Sequence, residues 1–193
     1  MGTREQILVA ARATLLDAGY ASLSTRRVAD AAGVPLSQLH YHFGSKQNLV
    51  VELLVDENRR LLERQVAMYG ADEPLWKRWE QACDFLDDDL RSGYVRVLQE
   101  MMAAGWSDPA VAEQVRSVLA AWFKLLTTVA ADAEETLGSL GPFTAADVAA
   151  LAATAFLGSE AVLLLGLSPR VAPVRGALRR VGALIRSLEE ASA

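Results

Sequence analysis

The chain has 193 residues, of which 52% are hydrophobic, and it carries a formal net charge of −5. This length and composition allow a packed core and exclude a disordered chain, while the negative charge argues against a general polyanion binder. A single cysteine excludes an internal disulfide and favours a reducing compartment. Alanine and leucine dominate and β-branched alternation is missing, so we expect an all-α fold of about nine helices.

The first predicted helix runs from about Thr3 to Ala18, and residues 24–46 then indicate two short helices around a tight turn. Ser24 or Thr25 can cap the first of these, because a hydroxyl accepts a backbone N–H that is left without a partner in the first turn. A glycine and a proline follow, which suit a helix end and the next helix start respectively.

The second short helix places its apolar residues on one face. Leu39 and Phe43 stand four positions apart and so point the same way, whereas Ser37, Gln38 and Tyr41 lie on another face. This is the pattern of a helix-turn-helix, whose second helix enters the major groove of DNA. We therefore expect an N-terminal three-helix head that binds DNA.

In this region the chain resembles the TetR/AcrR family of transcriptional regulators. The resemblance rests on the segments ILVAARATLLDAGY, LSTRRVADAAGV and LHYHFGSKQNLV and covers about the first 60 residues. It implies a ligand-responsive homodimer that represses transcription, binds a palindromic operator in double-stranded DNA and is released by a small hydrophobic or aromatic effector. It also implies that Tyr41 and His42 lie near phosphate or a thymine methyl group.

The candidate DNA-binding residues fall into a phosphate group and a base-reading group. Phosphate contacts are predicted for Thr25, Arg26, Arg27 and Lys46. Base-edge contacts are predicted for Ser37, Gln38 and His40, while Leu36 packs inward or meets a thymine methyl. Through Lys46 the chain has five basic and three acidic residues, and the remainder carries a net charge of −7. A positive head on an acidic body suits a protein that touches phosphate at one end only.

A long helix from Ser45 to about Met68 follows the head, and residues 70–74 form the clearest boundary. We therefore divide the chain into a helix-turn-helix domain (1–46), a connecting helix (47–70) and a larger helical bundle for ligand binding and dimerisation (71–193).

Aromatic and methionine side chains are frequent in the bundle, where they either fill the core or line a cavity for an apolar ligand. The candidate ligand-binding residues are Trp79, Cys83, Met101, Met102, Trp106, Trp122, Phe123 and Phe156. Glu160 lies among apolar neighbours and is expected to pair with an arginine across a dimer seam or to orient a cationic ligand.

The last two predicted helices differ in pattern. Residues 144–167 are apolar nearly all round, so this helix should be buried on most sides, although Thr154, Ser159 and Glu160 interrupt it as a membrane span. Residues 173–190 show apolar steps of three and four, as in a coiled coil. We expect both to form a four-helix dimer interface through Ala155, Val162, Val174, Leu178, Val181 and Ile185.

Other classes of protein find less support. The charged, amphipathic start does not resemble a signal peptide, so we expect a cytoplasmic protein. His40 and His42 stand two apart on a helix and do not face one metal ion, and no catalytic constellation or cofactor motif occurs. The main rival is a helical small-molecule sensor or carrier that does not use DNA; loss of Thr25, Tyr41 and Lys46 would favour it, and all three are present.

Overall fold

The computed structural model describes residues 2–192, and within this range the chain forms nine helices and no strand. They are α1 (Thr3–Ser22), α2 (Thr25–Ala32), α3 (Leu36–Phe43), α4 (Lys46–Tyr69), α5 (Leu75–Ser92), α6 (Tyr94–Gly105), α7 (Pro109–Leu137), α8 (Ala145–Leu164) and α9 (Val174–Ser192). The predicted all-α fold with an N-terminal helix-turn-helix is confirmed.

The chain divides into two compact units. The first comprises the residues up to Arg60 together with Gly93–Val118, and the second comprises Leu61–Ser92 together with the residues from Leu119 onward. Both α4 and α7 therefore contribute to each unit. The predicted functional division at residues 46 and 70 stays a prediction. The compact N-terminal unit differs from it, because this unit also includes α6 and the start of α7.

Helix ends follow the local signals of the sequence. The Ser24 hydroxyl accepts a hydrogen bond from Arg27 N at 3.2 Å, so Ser24 rather than Thr25 caps α2. Gly33 closes α2 with a φ of 65°, a left-handed conformation that suits glycine. Gly19, with a φ of 74°, kinks α1 without ending it, because the helix resumes and continues to Ser22.

The first unit has its core around α1, which packs closely against α2, α3 and α6 and forms two ion pairs with α4, Arg4–Glu52 and Arg12–Glu57. The residues with the least exposure in this core include Ile7, Leu15, Val28, Leu39, Val95 and Met101. The three-helix head, predicted to bind DNA, is therefore packed against α6, a helix from much later in the chain.

The second unit packs α5 against α8 and α9, and α8 against α9. The Trp79 indole N–H donates to the Leu178 carbonyl oxygen at 2.7 Å, which ties α5 to α9. Leu178 itself is buried within the chain. Its placement on an exposed dimer seam therefore needs correction: its side chain serves the fold of the single chain.

The expectation that α8 is buried on most sides is also wrong for the single chain. Its buried residues are Ala149, Ala153, Phe156, Ser159 and Glu160. Leu151, by contrast, is 57% exposed. By length and composition alone α8 would be long and apolar enough to cross a membrane, although core helices of soluble proteins pass the same test. The discrepancy arises because α8 packs against α5, α9 and Leu126 of α7, and these neighbours cover only one side of a helix that is apolar nearly all round.

Candidate functional site

The candidate recognition helix, α3, is held by its two inward apolar side chains. Leu39 and Phe43 are almost fully buried, as the four-residue spacing predicts. Leu36 is 38% exposed, so it does not pack fully inward and part of its surface is open to a partner. The helix is therefore held by its buried face, and its opposite face is exposed to solvent.

That outer face carries the predicted base-reading residues. Ser37, Gln38, His40 and Tyr41 are all exposed, and Tyr41 has 83% of its surface accessible. His42 is half-buried, with its ring edge-on to the Tyr41 ring at 5.2 Å between centroids. The structure thus brings together hydroxyl, amide and imidazole groups that can bond to base edges.

One of these side chains is oriented by the end of its own helix. His40 Nδ1 lies 2.8 Å from the Gly44 carbonyl oxygen. Because a carbonyl oxygen can only accept, Nδ1 carries the hydrogen in this bond, and Nε2 remains free to face a partner. This contact also occupies one of the carbonyl groups that a helix end leaves without a partner.

The predicted phosphate contacts have different surroundings from one another. Arg26 is exposed, Thr25 is half-buried, and Arg27 forms an ion pair with Asp17 at 2.8 Å. Lys46 Nζ donates to the Tyr20 carbonyl oxygen at 2.8 Å and lies 4.3 Å from the centre of the Tyr20 ring. Burial lowers the pKa of Lys46 below its ordinary value, because the charged ammonium loses contact with water.

Sequence reasoning missed two contacts that brace the head from distant parts of the chain. Tyr20 N donates to Glu100 Oε2 on α6 at 3.1 Å. Gln47, beside Lys46 at the start of α4, donates to Asp108 Oδ2 at 2.7 Å, and the other Asp108 oxygen caps α7. Only the charged or amide character of Glu100, Gln47 and Asp108 was visible in the sequence, and nothing in it paired them.

The candidate ligand-binding residues are divided between the two units. Met101, Met102 and Trp106 lie on or next to α6 in the first unit, where Met101 is fully buried and Trp106 is 86% exposed. The second unit contains Trp79, Cys83, Trp122, Phe123 and Phe156. An indole with this exposure does not line an enclosed cavity within its own unit.

Two aromatic groups form within the second unit. The rings of Trp79 and Phe156 meet edge-on with 5.5 Å between centroids. Trp122 and Phe123 pack, together with Tyr69, against a buried cluster of Leu126, Ala149 and Ala153. Burial raises the pKa of the Cys83 thiol to about 11, with the Arg179 charge opposing and nearby carboxylates adding to the shift, so the thiol is protonated at neutral pH.

A separate open cavity of about 380 Å³ lies elsewhere in the second unit. It is lined by Trp76 and Arg186 among others, and none of the predicted ligand-binding residues borders it. The Arg186 guanidinium lies 5.0 Å from the Trp76 ring centre, and Glu189 accepts hydrogen bonds from the backbone N–H groups of Leu75 and Trp76. These contacts join α5 to α9, so the residues of the cavity wall have a structural role in the fold.

The predicted dimer residues of α8 and α9 are mostly accessible in the single chain. Ala155 and Val181 are exposed, and Val162, Val174 and Ile185 are half-buried. Leu151, Leu184 and Leu188 add to the accessible apolar surface of these helices. The heptad argument missed Leu184, because this residue lies off the stripe of three- and four-residue steps. Large exposed apolar areas of this kind mark interaction surfaces.

The N-terminal part of the chain is similar to known regulatory proteins. Residues 7–53 match the family model described as bacterial regulatory proteins, tetR family. An uncharacterised HTH-type transcriptional regulator of Mycobacterium tuberculosis is 30% identical over 120 residues, which cover 61% of this chain and 60% of the relative. The chain therefore spans about three fifths of the length of that relative.

Solved structures extend the likeness to the whole fold. A TetR transcription regulator from Haloarcula marismortui is 19% identical with a TM-score of 0.76, and the match covers 95% of each chain. A protein from Saccharomonospora viridis, solved in complex with choline, is also 19% identical with a TM-score of 0.76, over 92% of this chain and 93% of that one.

Proposed function

Because the chain belongs to the TetR family of transcriptional regulators, we propose that it is a ligand-responsive repressor that binds a palindromic operator as a cytoplasmic homodimer. The observation that carries this proposal is α3, a helix whose apolar residues are buried and whose outer face presents Ser37, Gln38, His40 and Tyr41. Such a face offers hydroxyl, amide and imidazole groups that can bond to base edges in the major groove.

Dimer formation is proposed for the accessible apolar faces of α8 and α9. Burying these surfaces against a second copy would remove apolar side chains such as Leu151 and Leu184 from water. Two heads would then reach successive major grooves, about 34 Å apart for half-sites one turn apart. Joining two heads raises the effective concentration of the second at the operator, which a single short head needs.

An effector in the second unit would release the operator by favouring one conformer of the protein over another. The helices α4 and α7 contribute residues to both units, so a change in their position in the second unit is carried directly into the first. The size of the response is set by the difference in the affinity of the effector for the two conformers, typically about 1–3 kcal/mol. The choline complex of the Saccharomonospora protein supports small-molecule binding by this fold.

Selection from random duplex DNA, followed by titration of the selected duplex, tests this function. We expect one inverted-repeat sequence to be enriched, and Tyr41→Ala to weaken its binding by about tenfold or more while the protein keeps its oligomeric state. Trp106→Ala is the matched control, because Trp106 is an equally exposed aromatic residue of the same unit.

A purified chain that prefers no duplex even at low ionic strength would contradict the proposal. That result, with small-molecule binding retained, would favour the sensor or carrier that does not use DNA.

A further inference from the structure

A histidine on the outer face of α3 has one of its two ring nitrogens already engaged within the chain. His40 is exposed, and its Nδ1 lies 2.8 Å from the Gly44 carbonyl oxygen. A carbonyl oxygen only accepts hydrogen bonds, so Nδ1 must carry the hydrogen of this contact. A neutral imidazole has a single N–H hydrogen, which leaves a lone pair on Nε2. The nitrogen that remains for a partner is therefore a hydrogen-bond acceptor.

The surrounding contacts hold this ring before any partner arrives. Gly44 directly follows α3, and its backbone N–H donates to the His40 carbonyl oxygen at 2.9 Å. The main chain and the side chain of His40 are thus both bonded to one glycine. The adjacent Leu39 is fully buried and anchors the same turn of the helix. A side chain that is held in advance loses less conformational entropy when it binds.

An acceptor on this face can bond to only a few groups of duplex DNA. Phosphate oxygens, guanine O6 and N7, adenine N7 and thymine O4 are themselves acceptors, so none of them can bond to the Nε2 lone pair. The donors in the major groove are the exocyclic amino groups, on N6 of adenine and on N4 of cytosine. The neutral ring of His40 therefore fits a base edge and does not fit the phosphate backbone.

We propose that His40 Nε2 accepts a hydrogen bond from the exocyclic amino group of an adenine or a cytosine in the operator. This inference rests on the proposed function, because it needs α3 to enter the major groove of DNA. It gives His40 a narrower role than Ser37 or Gln38, whose hydroxyl and amide groups can donate as well as accept.

The protonated ring is the rival state. An imidazolium carries a hydrogen on both nitrogens and would donate from Nε2 to phosphate or to guanine O6 or N7. The carbonyl end of α3 and the phosphates of DNA both favour this positive charge. Within residues 2–192, however, no carboxylate forms an ion pair with His40. The two states differ in the hydrogen on Nε2, which can be measured directly.

The protonation of each ring nitrogen is measured first, in the free protein. Two-bond ¹H–¹⁵N correlation spectra of the ¹⁵N-labelled full chain at neutral pH distinguish a nitrogen that carries a hydrogen from one that does not. The chain has two histidines, and the spectrum of His40→Gln identifies the signals of His40. We expect a hydrogen on Nδ1 and none on Nε2, both in the free protein and in the operator complex. A hydrogen on Nε2 in the complex would overturn the inference.

Base analogues then test the contact itself. Titration of single-base variants of the selected operator with the unchanged protein and with His40→Ala locates the base pair that His40 discriminates. At that pair, purine in place of adenine, or pyrimidin-2-one in place of cytosine, removes the amino group, whereas a 7-deazapurine removes only the N7 acceptor. We expect about fivefold weaker binding without the amino group, as for about one neutral hydrogen bond, and unchanged binding with the 7-deazapurine. The two amino-deleted duplexes also distinguish adenine from cytosine.

Matched variants separate the contact from a general loss of binding. His40→Ala should bind the amino-deleted and the amino-bearing duplex alike. His40→Gln places an amide near the position of Nε2 that can accept or donate, so it should bind the operator with a weaker preference for the amino group. Trp106→Ala alters an exposed ring in the same unit and should keep the full preference. Melting curves establish that each variant is folded.

The outcomes distinguish this inference from the proposed function. An operator complex in which His40→Ala changes no base preference overturns the inference and leaves the regulator. The same holds if the His40-dependent loss follows the 7-deazapurine, or if the preference for the amino group persists in His40→Ala. A protein that selects no duplex at all contradicts the proposed function and this inference with it.

Discussion

The helices α3 and α8 differ in how much of their apolar surface is buried within the single chain. In α3 the inward residues Leu39 and Phe43 are buried by the three-helix head itself, and nearly all other positions are polar or aromatic. In α8 nearly every position is apolar, yet its buried positions are confined to one side. The apolar side of α3 is therefore covered by its own chain, whereas much of the apolar surface of α8 stays exposed.

This difference indicates two kinds of partner. The exposed face of α3 offers hydrogen-bonding groups and exposes few large apolar side chains, which suits the wet, polar edge of a nucleic acid. The exposed face of α8, together with that of α9, offers leucine and valine side chains, which suits a second apolar surface. The proposed dimer follows from the second face, just as the proposed operator contact follows from the first.

Charges on the apolar face should give the largest effect. In the double variant Leu151→Asp/Leu184→Asp, two carboxylates would have to be buried in the dimer without partners, which costs several kcal/mol. We expect the dimer dissociation constant to rise by more than about a hundredfold, as measured by sedimentation equilibrium. Val9→Asp is the matched control, because Val9 is similarly exposed but lies on α1.

A double variant that sediments like the unchanged protein would place the dimer contact elsewhere or show that the chain is a monomer. Helical content measured alongside separates a lost interface from a lost fold. Leu178, which we expected on the seam, is unsuitable for this test because it is buried within the chain.

The sequence predicted well the features that depend on neighbours along the chain. The cap at Ser24, the left-handed Gly33 and the spacing of Leu39 and Phe43 are all settled within a few residues of one another. They sufficed to identify the head and the family. The helix ends and the buried face of the three-helix head could therefore be predicted from residues that are close together in the sequence.

Features that depend on distant segments were out of reach. The Glu100 carboxylate meets Tyr20 N across 80 residues of sequence, and no periodicity encodes that contact. Leu178 was misjudged for the same reason: a stripe of apolar residues does not reveal which side the neighbouring helix covers.

The next effect in size concerns the buried side of α3. Leu39→Ala removes a fully buried side chain and leaves a cavity, so we expect the free energy of unfolding to fall by about 2–5 kcal/mol in urea titrations. Leu36→Ala, on the partly exposed side of the same helix, should cost clearly less. Equal losses at the two positions would contradict the orientation of α3.

A smaller effect is expected at the outer face of α3. Gln38→Ala removes an amide that can bond to adenine through two hydrogen bonds, which is worth about 1–3 kcal/mol of discrimination at one base pair. Binding to the selected operator and to its single-base variants would then show a loss confined to one position in each half-site. Gln81→Ala, an exposed glutamine of the second unit, is the control. An unchanged consensus would exclude Gln38 as a base reader.

The smallest effect tests the start of α8, where the apolar helix depends on a polar cap. The Thr144 hydroxyl accepts from Asp147 N at 3.2 Å, and Asp147 Oδ2 accepts from Thr144 N at 2.9 Å, which together form a capping box. Thr144→Ala should therefore lower the free energy of unfolding by about 1 kcal/mol, whereas Thr128→Ala, in the interior of α7, should cost less.

This cap also has a pH signature of defined sign. Hydrogen bonds from the side chain and the backbone of Thr144 hold the pKa of Asp147 below its ordinary value of 3.8. The contribution of the carboxylate is therefore complete at neutral pH and is lost as the pH falls through that lowered pKa. The difference in melting temperature between the unchanged protein and Thr144→Ala should shrink below about pH 4. A difference that stays constant through this range would mean that the hydroxyl acts without the Asp147 charge.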